Sequence, residues 1–191
     1  MVSKLSRKHR KLLLALLLAL VIAFGGANYL SSGNLTEYMG QHQPGLYEVV
    51  GVEDGDTITV EAAGRRERVR LIGIDTPELH HPERPVQCFA EAAKAFTASL
   101  IDSQAVRLQA DPLDDNRDLY QRLLRYVYLP DGTLVNTAVV AEGYGFAYTR
   151  FPFTKLAEMQ QLESRARQAG RGLWRQCTIS EINGTKETNG L

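Results

Sequence analysis

Net charge is what this 191-residue sequence conspicuously lacks: 22 Lys and Arg balance 22 Asp and Glu. The balance is uneven along the chain. Lys4, Arg7, Lys8, Arg10 and Lys11 precede every acidic residue, and from Asn34 onward 17 basic residues face 22 acidic ones, a net of −5. Such a domain does not hold duplex nucleic acid by blanket attraction, so any contact with it is local and helped by a metal ion. Cysteine is scarce, with two, and four histidines do not join them at zinc-ligand spacing. Asp54 and Asp56 begin like a calcium-binding helix-loop-helix, but the later acidic ligands and the closing glutamate are missing. Internal repeats and low-complexity tracts are absent too. What remains, at 44% hydrophobic content, is enough for one domain with its own core.

Residues 1–33 read as a targeting element. A cationic stretch, Lys4 to Lys11, precedes the uninterrupted apolar run Leu12 to Phe24, and Gly25, Gly26 and Ala27 follow. This suits a signal peptide, while Leu12 to Leu30 taken together is 19 residues and suits an uncleaved anchoring helix. Either way the domain is expected outside the cytoplasm, secreted or membrane-anchored, with the basic residues inside. Residues 34–44 are polar and read as a linker.

From Gly45 the pattern turns to strands. Leu46 to Val52 and Thr57 to Glu61 flank the Glu53-Asp54-Gly55 turn, and Arg66 to Ile74 follows a second turn at Gly64, giving a three-stranded meander. Ala105 to Ala110 and Leu124 to Leu129 supply two more strands. Helical spacing marks Cys88 to Asp102, a short helix runs from Leu134 to Gly143, and a third spans about Thr154, as N-cap, to Ala169. The expected fold class is α+β: a closed five-stranded OB-fold barrel with three helices over residues 45–177, preceded by the hydrophobic N-terminal helix and followed by a flexible tail, 178–191.

Three short motifs carry the chemistry. Asp56 and Asp75 end or begin strands, and their hard carboxylate oxygens, with the Thr76 carbonyl, suit Ca²⁺. Aspartates beside glycine or Thr-Pro are also ordinary turn residues. Glu78, three residues past Asp75, is placed to orient or deprotonate a water. Arg70 offers a planar fork for two phosphate oxygens. Arg122 offers a second, with Asp118 as its orienting acceptor and Tyr120 as a stacking or hydroxyl contact.

Asp54-Gly55-Asp56-Thr57, then Val69 to Glu78 (VRLIGIDTPE), then Arg117 to Arg122 (RDLYQR) before a strand, together resemble the thermonuclease family. The likeness runs from about Gly45 to Trp174. It implies an enzyme that cleaves DNA and RNA phosphodiesters with Ca²⁺ and low sequence preference, leaving 3′-phosphate ends. It implies that Arg70, Glu78 and Arg122 are catalytic, that Asp56, Asp75 and Thr76 hold calcium, and that Tyr120 and Tyr148 flank the nucleotide, with single-stranded or denatured substrate favoured and a monomer sufficing. Two departures stand out: Gln121 occupies a position where the family more often has glycine, and Arg150 one where an aromatic is common.

Cys88 and Cys177 are an even pair in an oxidising compartment and invite a disulfide, which over so long a loop contributes about 4–5 kcal/mol at most on a chain-entropy argument. Two other readings compete with a nuclease. One is a non-catalytic barrel that binds single strands or a protein partner, against which the retained arginines and glutamate speak. The other is a calcium-stabilised envelope protein with a structural acidic rim.

Overall fold

The computed structural model describes residues 45–79, 85–182 and 184–190. The expected targeting segment and linker lie outside the described residues.

Thirteen elements follow in order: β1 (Glu48–Asp54), β2 (Thr57–Ala62), β3 (Arg65–Leu71), β4 (Ile74–Asp75), α1 (Ala90–Ile101), β5 (Arg107–Gln109), β6 (Leu123–Tyr128), α2 (Val135–Ala141), β7 (Phe146–Ala147), α3 (Leu156–Gln168), α4 (Leu173–Gln176), β8 (Ile179–Ile182) and β9 (Thr185–Thr188). The α+β architecture and the first three strands match the sequence pattern. The main sheet is mixed, ordered β1-β2-β3-β6-β5, with β3 and β6 parallel and the other pairs antiparallel. Its inner face buries Ile58, Val60, Val69, Leu71, Leu108 and Val127 against Val135, Val139 and Met159 from the helices.

Three expectations about the architecture need correction. The sheet is OB-like but not a closed barrel: β5 has only three residues, and the outer strands meet through one bridge, Tyr47 with Val106, where each N–H donates to the other's carbonyl at 2.8 Å. Helices number four among the described residues, since Leu173–Gln176 adds a short turn of helix after Gly172. The segment after Cys177, expected to be loose, is an antiparallel hairpin, β8 with β9, in which Ile179 pairs with Thr188 and Ile182 with Thr185. Cys88 and Cys177 form a disulfide at its base. Among the described residues no helix is long and apolar enough to cross a membrane.

Local chemistry explains where the elements break. The strand expected to run to Ile74 stops at Leu71 because Gly73 adopts φ +75°, and a Cβ there would lie 2.7 Å from the Phe153 ring. Gly55 serves space: a Cβ would fall 2.8 Å from Thr76 and 2.9 Å from Ala93. That lets α1 approach the β1-β2 turn, where the Thr97 hydroxyl donates to the Gly55 carbonyl at 2.7 Å. Asn136, fully buried, ties α2 to the sheet by accepting the Val127 N–H at 2.9 Å and donating to the Ile72 carbonyl at 2.9 Å. Thr154 does not cap α3. Its N–H and hydroxyl both donate to Asp111, at 2.7 and 2.6 Å, and α3 starts after Lys155 with no side-chain cap.

Candidate active site

One groove of about 850 Å³ collects most of the residues singled out from the sequence. Its lining includes Arg70, Asp75, Thr76, Glu78, Tyr120, Arg122 and Tyr148. Parallel pairing of β3 with β6 sets this up, because it places Arg70 opposite Leu124, two residues past Arg122.

Arg70 is the centre of the floor, with a side chain only 14% exposed. Its Nη1 donates to the Ile74 carbonyl at 2.7 Å and to that of Leu71 at 3.1 Å, which wraps the guanidinium around the β3-β4 turn. Its Nη2 lies 3.1 Å from both Asp56 Oδ2 and Asp75 Oδ1. Burial works against the charge on Arg70, but the surrounding Asp56, Asp75, Asp54 and Glu78 outweigh it and raise its pKa.

Asp56, 5% exposed, also accepts the Thr76 N–H at 2.9 Å and the Thr57 hydroxyl at 3.0 Å. That hydroxyl in turn receives Arg122 Nη1 at 3.4 Å. Arg122, Thr57, Asp56 and Arg70 thus form a continuous polar chain between the two guanidinium groups. Burial pushes the Asp75 carboxyl up to about 7, with repulsion from Asp56, Glu78 and Glu187 adding to the shift and Arg70 opposing it. Burial and the neighbouring Asp56 likewise push Asp54 up to about 7. Crowded carboxylates that share one guanidinium are of the chemistry that a hard divalent cation accepts.

The donor set is oxygen only. Among the described residues no three His, Cys, Asp or Glu side chains form a ready-made metal cluster. Asp56 and Asp75 with a backbone carbonyl make a partial set of the kind that calcium completes with water.

Asp118 organises the second arginine. Its Oδ1 accepts the N–H groups of Tyr120 and Arg122, each at 2.9 Å, and its Oδ2 accepts Arg122 Nε at 2.6 Å. Partial burial works against the Asp118 charge, but the hydrogen bonds from Arg122 prevail and hold its pKa below the usual carboxylate range. Gln121 adopts φ +63°, a left-handed conformation that favours glycine. Arg117 pins this turn, donating to the Gln121 carbonyl at 2.7 Å and to Glu67 at 2.9 Å. The Tyr120 ring, on a residue 76% exposed, stands 5.4 Å from the Arg122 guanidinium. Tyr148, which also lines the groove, lies 6.0 Å from Phe151, ring to ring.

Glu78 is exposed in the groove, and its backbone is clamped by Gln87. Sequence reasoning missed Gln87, Thr57 as the bridge between arginines, and the hairpin residues Thr185, Lys186 and Glu187 that line the same groove. The Asn183-Gly184 pair between two alternating segments was a usable hairpin signal. A lone glutamine before a cysteine carried none.

A staphylococcal nuclease homologue model matches residues 68–176, more than half of the chain. The thermonuclease of Staphylococcus intermedius is 42% identical over 125 residues, covering 64% of this chain and 73% of that protein. That of Staphylococcus hyicus is 36% identical over 129 residues, covering 67% and 75%. An endonuclease of Bacillus subtilis is 37% identical over 123 residues, covering 63% and 57%. The chain belongs to the staphylococcal nuclease homologue family.

Proposed function

We propose that this chain is a Ca²⁺-dependent nuclease that hydrolyses phosphodiester bonds in DNA and RNA with low sequence preference, leaves 3′-phosphate ends, and works outside the cytoplasm, secreted or tethered by its N-terminal segment. The observation that carries this reading is the convergence of two guanidinium groups, through Thr57 and Asp56, in a groove that also holds Asp75 and Glu78.

In this reading Arg70 and Arg122 bind the phosphate of the scissile bond and meet the charge that builds on its oxygens. Glu78 orients the attacking water and accepts its proton as the new O–P bond forms. The P–O5′ bond breaks on the opposite side, and the 5′ oxygen takes up a proton. Asp56, Asp75 and the Thr76 carbonyl would hold calcium, which when bound neutralises phosphate charge and favours water ionisation. Tyr120 and Tyr148 offer rings to the flanking bases, and stacking of that kind is sequence-tolerant. Single-stranded nucleic acid reaches such a groove with its bases already free.

The test is cleavage of denatured DNA by the full-length chain with Ca²⁺, then with chelator. Chelation should abolish turnover, and Glu78→Gln and Arg122→Ala should each lower kcat by about 10²- to 10³-fold. Cleavage at the unaltered rate in both variants would refute the site. Binding without cleavage in the wild type would assign the chain to non-catalytic strand-binding modules.

A further inference from the structure

Among the residues that hold the turn carrying Glu78, Gln87 has no assigned role. Gln87, 8% exposed, accepts the Glu78 N–H on its Oε1 at 2.7 Å, and its own N–H donates to the Glu78 carbonyl at 3.0 Å. Two hydrogen bonds thus fix the backbone of Glu78 on both sides of its Cα. Burying a glutamine amide costs free energy unless it is bonded, and ordering its long side chain costs more. A residue that only filled space there would be apolar.

Gln87 is itself braced from far along the chain. Gly190 pairs with it in an isolated antiparallel bridge. The adjacent Cys88 donates its N–H to the Asn189 carbonyl at 2.7 Å, accepts the Thr188 hydroxyl at 2.8 Å, and is joined to Cys177. The hairpin is anchored at its other side by Lys186, 2.9 Å from Glu163 Oε2, while Glu163 Oε1 accepts the Ala147 N–H at 3.0 Å.

Building on the nuclease reading above, we propose that Gln87 is a positioning residue that sets Glu78 for water activation, with the C-terminal hairpin as its brace. Gln87 also lines the groove, and the role proposed for it is to hold the Glu78 turn. It acts through the Glu78 backbone, and a small misplacement of a catalytic group costs up to about 10²-fold in rate.

The experiment is a double-mutant cycle in the full-length chain, with denatured DNA and Ca²⁺, on protein verified as folded by circular dichroism. Gln87→Leu should lower kcat by about 10- to 100-fold with KM unchanged. Gln87→Glu, which keeps an acceptor oxygen at the same reach, should recover most of that loss. In a Glu78→Gln background Gln87→Leu should add less than a twofold further loss, because the group it positions has already lost its function. A purely structural role would lower both backgrounds by the same factor, and that result overturns the proposal. So does wild-type kcat in Gln87→Leu. A wild-type chain that does not cleave overturns the parent reading, and this one with it, whereas wild-type cleavage with an additive cycle overturns this inference alone.

Discussion

Asp118→Ala is the sharpest probe of how the second arginine is aimed. The substitution removes one acceptor group and orphans three donors: the N–H groups of Tyr120 and Arg122 and the Arg122 Nε. Hydrogen bonds to a charged group contribute about 1.5–3 kcal/mol each when buried, and neutral ones about 0.5–1.5. Asp118 and Arg122 side chains are 17% and 19% exposed, so water replaces part of what is lost, and a stability loss of about 1–3 kcal/mol is expected at neutral pH. Loss of aim should cost kcat about 10- to 100-fold. The pH dependence has a defined sign. The folded pKa of Asp118 is depressed, so its contribution is present above the unfolded value of 3.8 and fades as pH falls through the lower folded value. Urea unfolding of wild type and variant should therefore differ at pH 7, and the difference should shrink as pH falls below 3.8 and through the lower folded value. Asp118→Asn, which keeps a carbonyl acceptor but no charge, should fall between them. Equal stability at pH 7 together with kcat within twofold of wild type would refute the argument.

Two further outcomes follow from the backbone and the cross-link. Gln121→Gly removes a non-glycine residue from φ +63° and should raise stability by about 0.5–1 kcal/mol, less any gain in unfolded-state entropy; a thermal melt that falls by several degrees would contradict it. Reduction of Cys88–Cys177, which spans 89 residues, should lower the urea midpoint by an amount worth up to about 4–5 kcal/mol, and a Cys177→Ala variant should not respond to reductant.

Much of the fold was legible because its signals are local. Turn residues at Asp54-Gly55 and Gly64 delimit β1 to β3, and the apolar spacing of Ala93, Phe96 and Leu100 marks α1. Sheet closure was not legible, since it depends on β5, which has three residues, and on the one bridge from Tyr47 to Val106, two positions far apart in sequence. Thr154 has the chemistry of a cap but finds a better acceptor in Asp111, which lies 43 residues away in sequence. In the site, motif order brought forward Arg70, Asp75, Glu78 and Arg122, because each sits in a short segment of unusual composition. Thr57 and Gln87 act through partners 65 and 9 residues distant, and nothing in their own neighbourhoods announces it.

The hairpin's grip on Cys88 joins groups 100 residues apart in sequence, which gives the molecule an order of assembly. The β1-β2-β3 meander pairs near neighbours and can form early, while the brace proposed above for the Glu78 turn waits for a segment synthesised much later. A nascent or truncated chain can therefore carry an intact-looking core, already rich in the two arginines, and still be a poor hydrolase.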